Sequence, residues 1–427
     1  MNQALLVAWL ALAAADRFDF LGGAGAFFLS PFLVLTPLVL AAELLRLAAR
    51  GERVRIPQGA LHYLFWILCF VSTVLVSVLF ATDVDLAARR YALWLVQVLG
   101  PFAVAVLIAQ YPAPESILVK GAYWGIGFGW FMNLVQIYIF ATGKYENFTE
   151  PLPFATLLPT VYAGVAPRLS MQVLDQNRAG MIFIFYMFCL FQWAPPTRWR
   201  KAFLVMAGVG VVLTTSRSVA LGVAALLAVH YLQKRRMRMT RGRVLGAAVA
   251  GSLVMALIAA NPEPVVRVAE PVGEMLVSRF TLKNDESASI HFELIEYGFE
   301  LASSKVKYAL VGVGFGNSPR VLEQFFDEDA ANFHSYYVTL LVECGALALI
   351  LGTLVMAIPA LRSPTYRPMM AGFAAFNIFY QLNTEALFWF VLALAWMGLS
   401  AGARQGRPPA LRRVQGPAPP LRTLEVA

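Results

Sequence analysis

Apolar residues in this chain gather in long runs separated by short polar connections. Crossing the hydrocarbon of a bilayer takes about 20 mostly apolar residues. Segments that meet or approach this requirement lie near 2–15, 25–48, 60–81, 91–110, 118–142, 178–193, 201–215, 217–232, 244–260, 335–361, 369–382 and 385–401. The pattern predicts an all-α, polytopic membrane protein of about twelve transmembrane helices, with eleven or thirteen as neighbouring counts. The first segment ends in Ala-Ala-Ala-Asp, like a secretory signal, yet its first basic residue is Arg17. It therefore reads as a short membrane helix, since signals open on a basic residue.

Two connections are too long for turns, near 143–177 and 261–333. The second holds a helical pattern in which Ile290, Leu294, Ile295, Tyr297, Phe299 and Leu301 alternate with Glu293, Glu296 and Glu300. That spacing predicts an amphipathic helix lying over the bundle. The organisation is thus nine helices over 1–260, a large helical loop over 261–333, three helices over 334–403 and a Pro- and Arg-rich disordered tail over 404–427.

Composition sharpens the membrane reading. The chain is 59% hydrophobic and 14% charged, against roughly 25% charged for soluble domains. Its net charge of +9 could suggest nucleic acid, but the basic residues fall where topology needs them. With the N-terminus inside, alternate connections carry Arg46 to Arg55, Lys120, Arg198 to Lys201, Lys234 to Arg243, Arg362, Arg367 and the tail. These hold 21 of the 34 Lys and Arg, the bias expected of cytoplasmic loops. The basic runs anchor topology and attract anionic membrane lipid, and no nucleic-acid partner is expected. Cys69, Cys189 and Cys344 lie inside apolar runs and read as small buried hydrophobes.

On this topology several polar groups reach the outer face. Arg217, in Thr214-Thr-Ser-Arg-Ser218, opens the eighth helix. A guanidinium there is costly and disfavoured by the positive-inside bias, which makes it a functional candidate. His334, in Asn332-Phe-His-Ser-Tyr-Tyr337, opens the tenth helix at the same level. Its imidazole is suited to proton transfer near neutrality. Arg168, Arg178 and Arg279 are also outer, and clustered guanidiniums suit a diphosphate. Glu343 sits mid-helix, either as a partner for a cation or protonated. Gly312-Val-Gly-Phe-Gly316 lacks the third glycine of a dinucleotide fingerprint, since position 317 is Asn. A backbone bend re-entering the membrane is expected there. No cofactor motif or metal-ligand constellation is visible, and none is expected.

These residues, in this order, resemble the O-antigen ligase and polymerase superfamily of bacterial surface-polysaccharide assembly. The ligase signature is His, then Ser, Asn or Gln, nine residues, then Gly; here it reads His334-Ser335, Tyr336 to Cys344, Gly345. The glycine stretch at 312–316, Ser216-Arg217-Ser218 and Arg168-Leu-Ser170 followed by Asn177 are similar to further family features. The resemblance covers roughly 165–350. It implies a multi-pass protein of the bacterial inner membrane with a periplasmic active site. It also implies a metal-independent glycosyltransferase using an undecaprenyl-diphosphate-linked glycan as donor. The acceptor is lipid A-core for a ligase, or a growing glycan for an O-antigen or exopolysaccharide polymerase; spacing and length lean toward the ligase.

By resemblance, His334 takes the acceptor proton, while Arg217 and Arg279, aided by Arg168 and Arg178, hold the diphosphate. Some relatives carry an arginine where this chain has His291, so Arg279 and His291 are alternatives for the second diphosphate position. Ser335, His291 and Glu343 are candidates to support the reacting groups. A polytopic transporter or flippase is the alternative from another class. A two-halved transporter would have its long connection between helices six and seven, where this chain has only Ala194-Pro-Pro-Thr-Arg-Trp-Arg200.

Overall fold

The computed structural model describes residues 2–15, 31–142, 160–162, 166–168, 171, 175–214, 216–234, 286–323 and 332–398. The expected ninth helix at 244–260, most of the basic run ending at Arg243, Arg279 and the tail lie outside these described residues. The described chain is helical apart from one short hairpin. Its first elements are α1 (Asn2–Ala11), α2 (Pro31–Ala49), α3 (Gln58–Leu79), α4 (Val84–Ile108) and α5 (Pro114–Thr142). Strands β1 (Thr160–Tyr162) and β2 (Ala166–Arg168) pair antiparallel, with Val161 opposite Pro167. Then come α6 (Gln176–Trp193), α7 (Arg198–Leu213), α8 (Arg217–Lys234), α9 (Glu286–Ser304), α10 (Val306–Val311) and α11 (Ser318–Leu322). The chain closes with α12 (Tyr336–Arg362), α13 (Arg367–Phe376) and α14 (Ala386–Met397).

Among the described residues, α2, α3 and α4 are each long and apolar enough to cross a membrane, and the run of α12 reaches that length and hydropathy across a bend. Large apolar side chains stay exposed on helix surfaces, including Phe65, Trp124, Phe131 and Val205. Lipid is the solvent that accommodates such a surface. The first helix is packed into the bundle. Trp9 stacks on Phe32 at 4.2 Å and donates to Phe32 O and Thr36 Oγ1, and the Tyr186 hydroxyl donates to Leu10 O at 2.7 Å.

Three expected spans take a different form. The apparent 27-residue run of α12 is broken at Gly345, whose φ of 80° and ψ of 178° are not helical. It comprises a helix of nine residues, 336–344, and a longer one, 346–362, meeting at a sharp bend. The expected spans at 369–382 and 385–401 are the 10-residue α13 and the 12-residue α14, about 15 and 18 Å long at 1.5 Å per residue. Neither crosses about 30 Å of hydrocarbon alone. Between them, 377–385 is irregular, and hydropathy overlooked the polar Asn377, Gln381, Asn383 and Glu385 among its apolar neighbours. Irregular backbone at depth persists where protein satisfies it. Here Tyr336 N–H donates to both Asn377 O and Tyr380 O, at 3.0 and 2.9 Å.

The bundle has two chemically different ends. At one, Gln3, Arg46, Arg50, Glu52 and Gln110 border a common cleft, and Gln110 bonds both backbone groups of Arg55. Gly59 at the start of α3 lies against Trp396, over which Arg362 is stacked. Tyr366 packs on Phe188 and Trp193 at the end of α6. The connections 50–57, 109–113, 194–197 and 363–366 are thus gathered at this end, with Arg50, Arg53 and Arg55 in the first and Arg198, Arg200, Lys201, Arg362 and Arg367 flanking the last two. The opposite end brings together the N-termini of α4, α6, α8 and α12.

Helix α9 lies over this second end. Leu294 and Ala302 are buried on it with Phe333, Val338 and Val342, while Glu293, Glu296 and Glu300 are exposed. Phe299 departs from the expected apolar face and points outward with the glutamates, 54% exposed.

Candidate functional site

The site is built around the bend in α12. Because Gly345 breaks the helix, the carbonyls of Val342 and Glu343 lose their usual i+4 donors. The glycine-rich loop supplies replacements: Val313 N–H donates to Val342 O at 2.8 Å and Gly314 N–H to Glu343 O at 3.0 Å. This explains two glycines. A Cβ on Gly345 would sit 2.1 Å from Leu310 O, and one on Gly312 would sit 2.3 Å from the Glu343 carbonyl; both have positive φ. The expected membrane re-entry of Gly312–Gly316 is therefore a loop docked on a broken helix.

Glu343 completes this clasp. Its buried carboxylate accepts from Gly316 N–H at 2.9 Å, Ser318 N–H at 3.2 Å and the Ser318 hydroxyl at 2.6 Å. Arg90 of α4 donates to Gly316 O from the other side. Asn317 ties the loop to the start of α4, accepting from Asp83 N–H at 3.1 Å.

His334 lies at the mouth of the bend, just before α12. Its φ of 49° is unusual for a side-chain-bearing residue, though histidine tolerates the region better than most. The Asn332 side-chain oxygen accepts from His334 N–H at 2.7 Å and holds the turn. His334 borders a cavity of about 360 Å³ with Arg90, Gln97, Asp175, Gln381 and Thr384. Burial lowers its ring pKa below the ordinary 6.5, and the Asp175 carboxylate works against that shift. Neighbouring Ser335 is buried and caps the helix backbone without a side-chain bond.

Arg217 begins α8 between two serines that share one partner. The Ser216 and Ser218 hydroxyls both donate to Asn177 Oδ1, and Asn177 N–H donates to Asp175 Oδ1. The segment 175–177 therefore touches the His334 cavity through Asp175 and the Arg217 turn through Asn177. Arg178, next in sequence, forms a 2.7 Å ion pair with the nearly buried Glu385. That pair borders a smaller cavity that shares Gln97 and Thr384 with the first. Arg168 lies in β2 and His291 in α9, where only the backbone is described. Arg279 falls outside the described residues.

Residues 202–353 match a family model described as O-Antigen ligase. That stretch, about a third of the chain, is similar to the O-antigen ligase superfamily and supports the resemblance. No curated protein matches the chain. The ligase-family region begins in α7 and ends beyond the bend of α12, so it contains Arg217, the glycine loop, His334, Ser335, Glu343 and Gly345. The match and the apolar helices support a bacterial membrane protein of glycosyltransferase-like function, and lipid-linked glycan and acceptor are the substrates the matched family implies in general.

Arg90, Gln97 and Asp175 were not singled out from the sequence. A signal existed for the first two. Arg90, Leu93, Trp94 and Gln97 recur at helical spacing and all face the cavity, placing polar groups on one stripe of an apolar helix. Asp175 and Thr384 had no such signal, because only the fold brings 175 and 384 beside 334.

Proposed function

We propose that this protein transfers a glycan from undecaprenyl diphosphate to an acceptor hydroxyl at the periplasmic face of a bacterial inner membrane, as an O-antigen ligase with lipid A-core as acceptor. The observation that carries the reading is the His334 cavity within a region matching the ligase family. The gathering of Arg46, Arg50 and Arg362 at the other end supports the sidedness, and the twelve-span count rests on the sequence pattern, which expects a further helix at 244–260.

In this reaction an acceptor oxygen bonds to the anomeric carbon as the bond from that carbon to the diphosphate oxygen breaks. The electron pair leaves with the lipid diphosphate, and the hydroxyl proton passes to a ring nitrogen of His334. Burial favours the neutral imidazole that this task needs. Arg217, with Arg279 or His291 and the outer Arg168 and Arg178, would neutralise charge developing on the diphosphate. Diphosphate leaves readily when so paired, so turnover is expected without a divalent metal.

Reconstituted protein with purified lipid-linked donor tests the reading, with and without lipid A-core. Transfer only when the core is present supports the ligase. Chain growth without the core would make the protein a polymerase of the same superfamily, and movement of intact donor across the bilayer without glycosidic bond formation would make it a flippase.

A further inference from the structure

Three charged side chains border the cavity at His334: Arg90 from α4, Glu343 from α12 and Asp175 preceding α6. Two of them are engaged in the clasp. Glu343 accepts three hydrogen bonds from Gly316 and Ser318, and Arg90 donates to the Gly316 carbonyl. Asp175 is differently placed. One of its oxygens caps the first turn of α6 through Asn177 N–H, and it lines the same cavity as His334, close enough for its charge to act on the imidazole. Two residues on, Asn177 holds both serines that flank Arg217. The tripeptide Asp175-Gln-Asn177 thus adjoins both groups of the proposed reaction.

We propose that Asp175 is the positioning residue for His334, its carboxylate holding the imidazole in one orientation and stabilising the imidazolium formed when the acceptor proton arrives. Asp175 touches neither sugar nor diphosphate; it acts through His334. The inference rests on the reading of His334 as general base, and adds to it the group that makes the base effective. A neutral imidazole that gains a proton beside a carboxylate forms an ion pair in a shielded cavity, where such a pair is worth more than in water. Fixed orientation further removes the need to reorganise during transfer.

The test uses Asp175→Asn and Asp175→Ser in the full-length protein. Asparagine and serine both cap helices well, so the α6 cap is kept while the charge is removed. The first readout is independent of turnover: the His334 ring pKa, followed by NMR of ¹⁵N-histidine-labelled protein, with the signal assigned by its loss in His334→Gln. The expected result is a lower ring pKa in both variants, because Asp175 raises it in the native protein. The second readout is transfer from purified lipid-linked donor. The expected result is a fall in kcat of about a hundredfold, a KM for donor changed less than threefold, and an acid limb of kcat displaced to lower pH. Asp175→Glu should recover part of the rate. An unmoved ring pKa together with an unmoved acid limb would overturn the proposal. A displaced ring pKa with full transfer by His334→Gln would instead retain the pairing and overturn the role of His334 as base.

Discussion

At the residue scale, function and structure make opposing demands on the charged groups near His334. Burial favours the neutral imidazole, which is the form that accepts a proton. Transfer should therefore be lost as pH falls through a value below 6.5, and should be insensitive to pH from there to neutrality; a kcat/KM profile on reconstituted protein checks this. The Arg178–Glu385 pair illustrates the other demand. Removing one member of a nearly buried ion pair strands a charge, at a cost of about 3 kcal/mol. Arg178→Met or Glu385→Leu should each lower the thermal unfolding midpoint in detergent, and the double variant should recover most of it. If Arg178 also contacts donor, the double variant regains stability but keeps a raised KM. Arg217 and His334 were both legible as helix-opening polar residues. The partner of Arg178 was not, since Glu385 is remote in sequence and sits in a run that reads as apolar.

At the element scale, the bend at Gly345 gives the nine-residue spacing after His334-Ser335 a physical meaning. Residues 336–344 make two and a half helical turns, and the break that follows exposes two carbonyls on which the glycine loop docks. Gly345→Ala should be far worse than a surface substitution. Its Cβ would meet Leu310 O at 2.1 Å in a left-handed conformation, so loss of several kcal/mol is expected. The expected outcome is poor accumulation of the variant in membranes, with Gly127→Ala, whose Cβ meets nothing within 4 Å, as the tolerated control. The sequence pattern gave the positions of 312–316 and 345 but not their contact. A hydropathy window averages over a kinked helix as readily as over a straight one, and the same averaging hid the irregular 377–385 between two half-length helices. The short hairpin β1–β2 was likewise invisible, being three residues per strand.

At the scale of the whole molecule, charge and packing agree on two ends. Among the described residues, Arg46, Arg50 and Arg362 share one end, and the glycine loop, His334 and the α8 start share the other. The positive-inside bias predicts this division, and it was the most legible feature of the chain because each short connection contributes independently. In a background lacking Cys69, Cys189 and Cys344, single cysteines at Asp83 and Ser304 should react with a membrane-impermeant maleimide added outside intact inner-membrane-bounded cells. Cysteines at Pro112 and Pro364 should react only after permeabilisation. The reverse labelling pattern would put the cavity on the cytoplasmic side.

The central claim is that glycan transfer occurs at the His334 cavity. The most direct measurement is single-turnover transfer by purified His334→Ala, reconstituted in vesicles with lipid-linked donor and acceptor. Loss of at least a hundredfold in the transfer rate, with donor binding and unfolding midpoint preserved, is the predicted result; transfer at the native rate would contradict it.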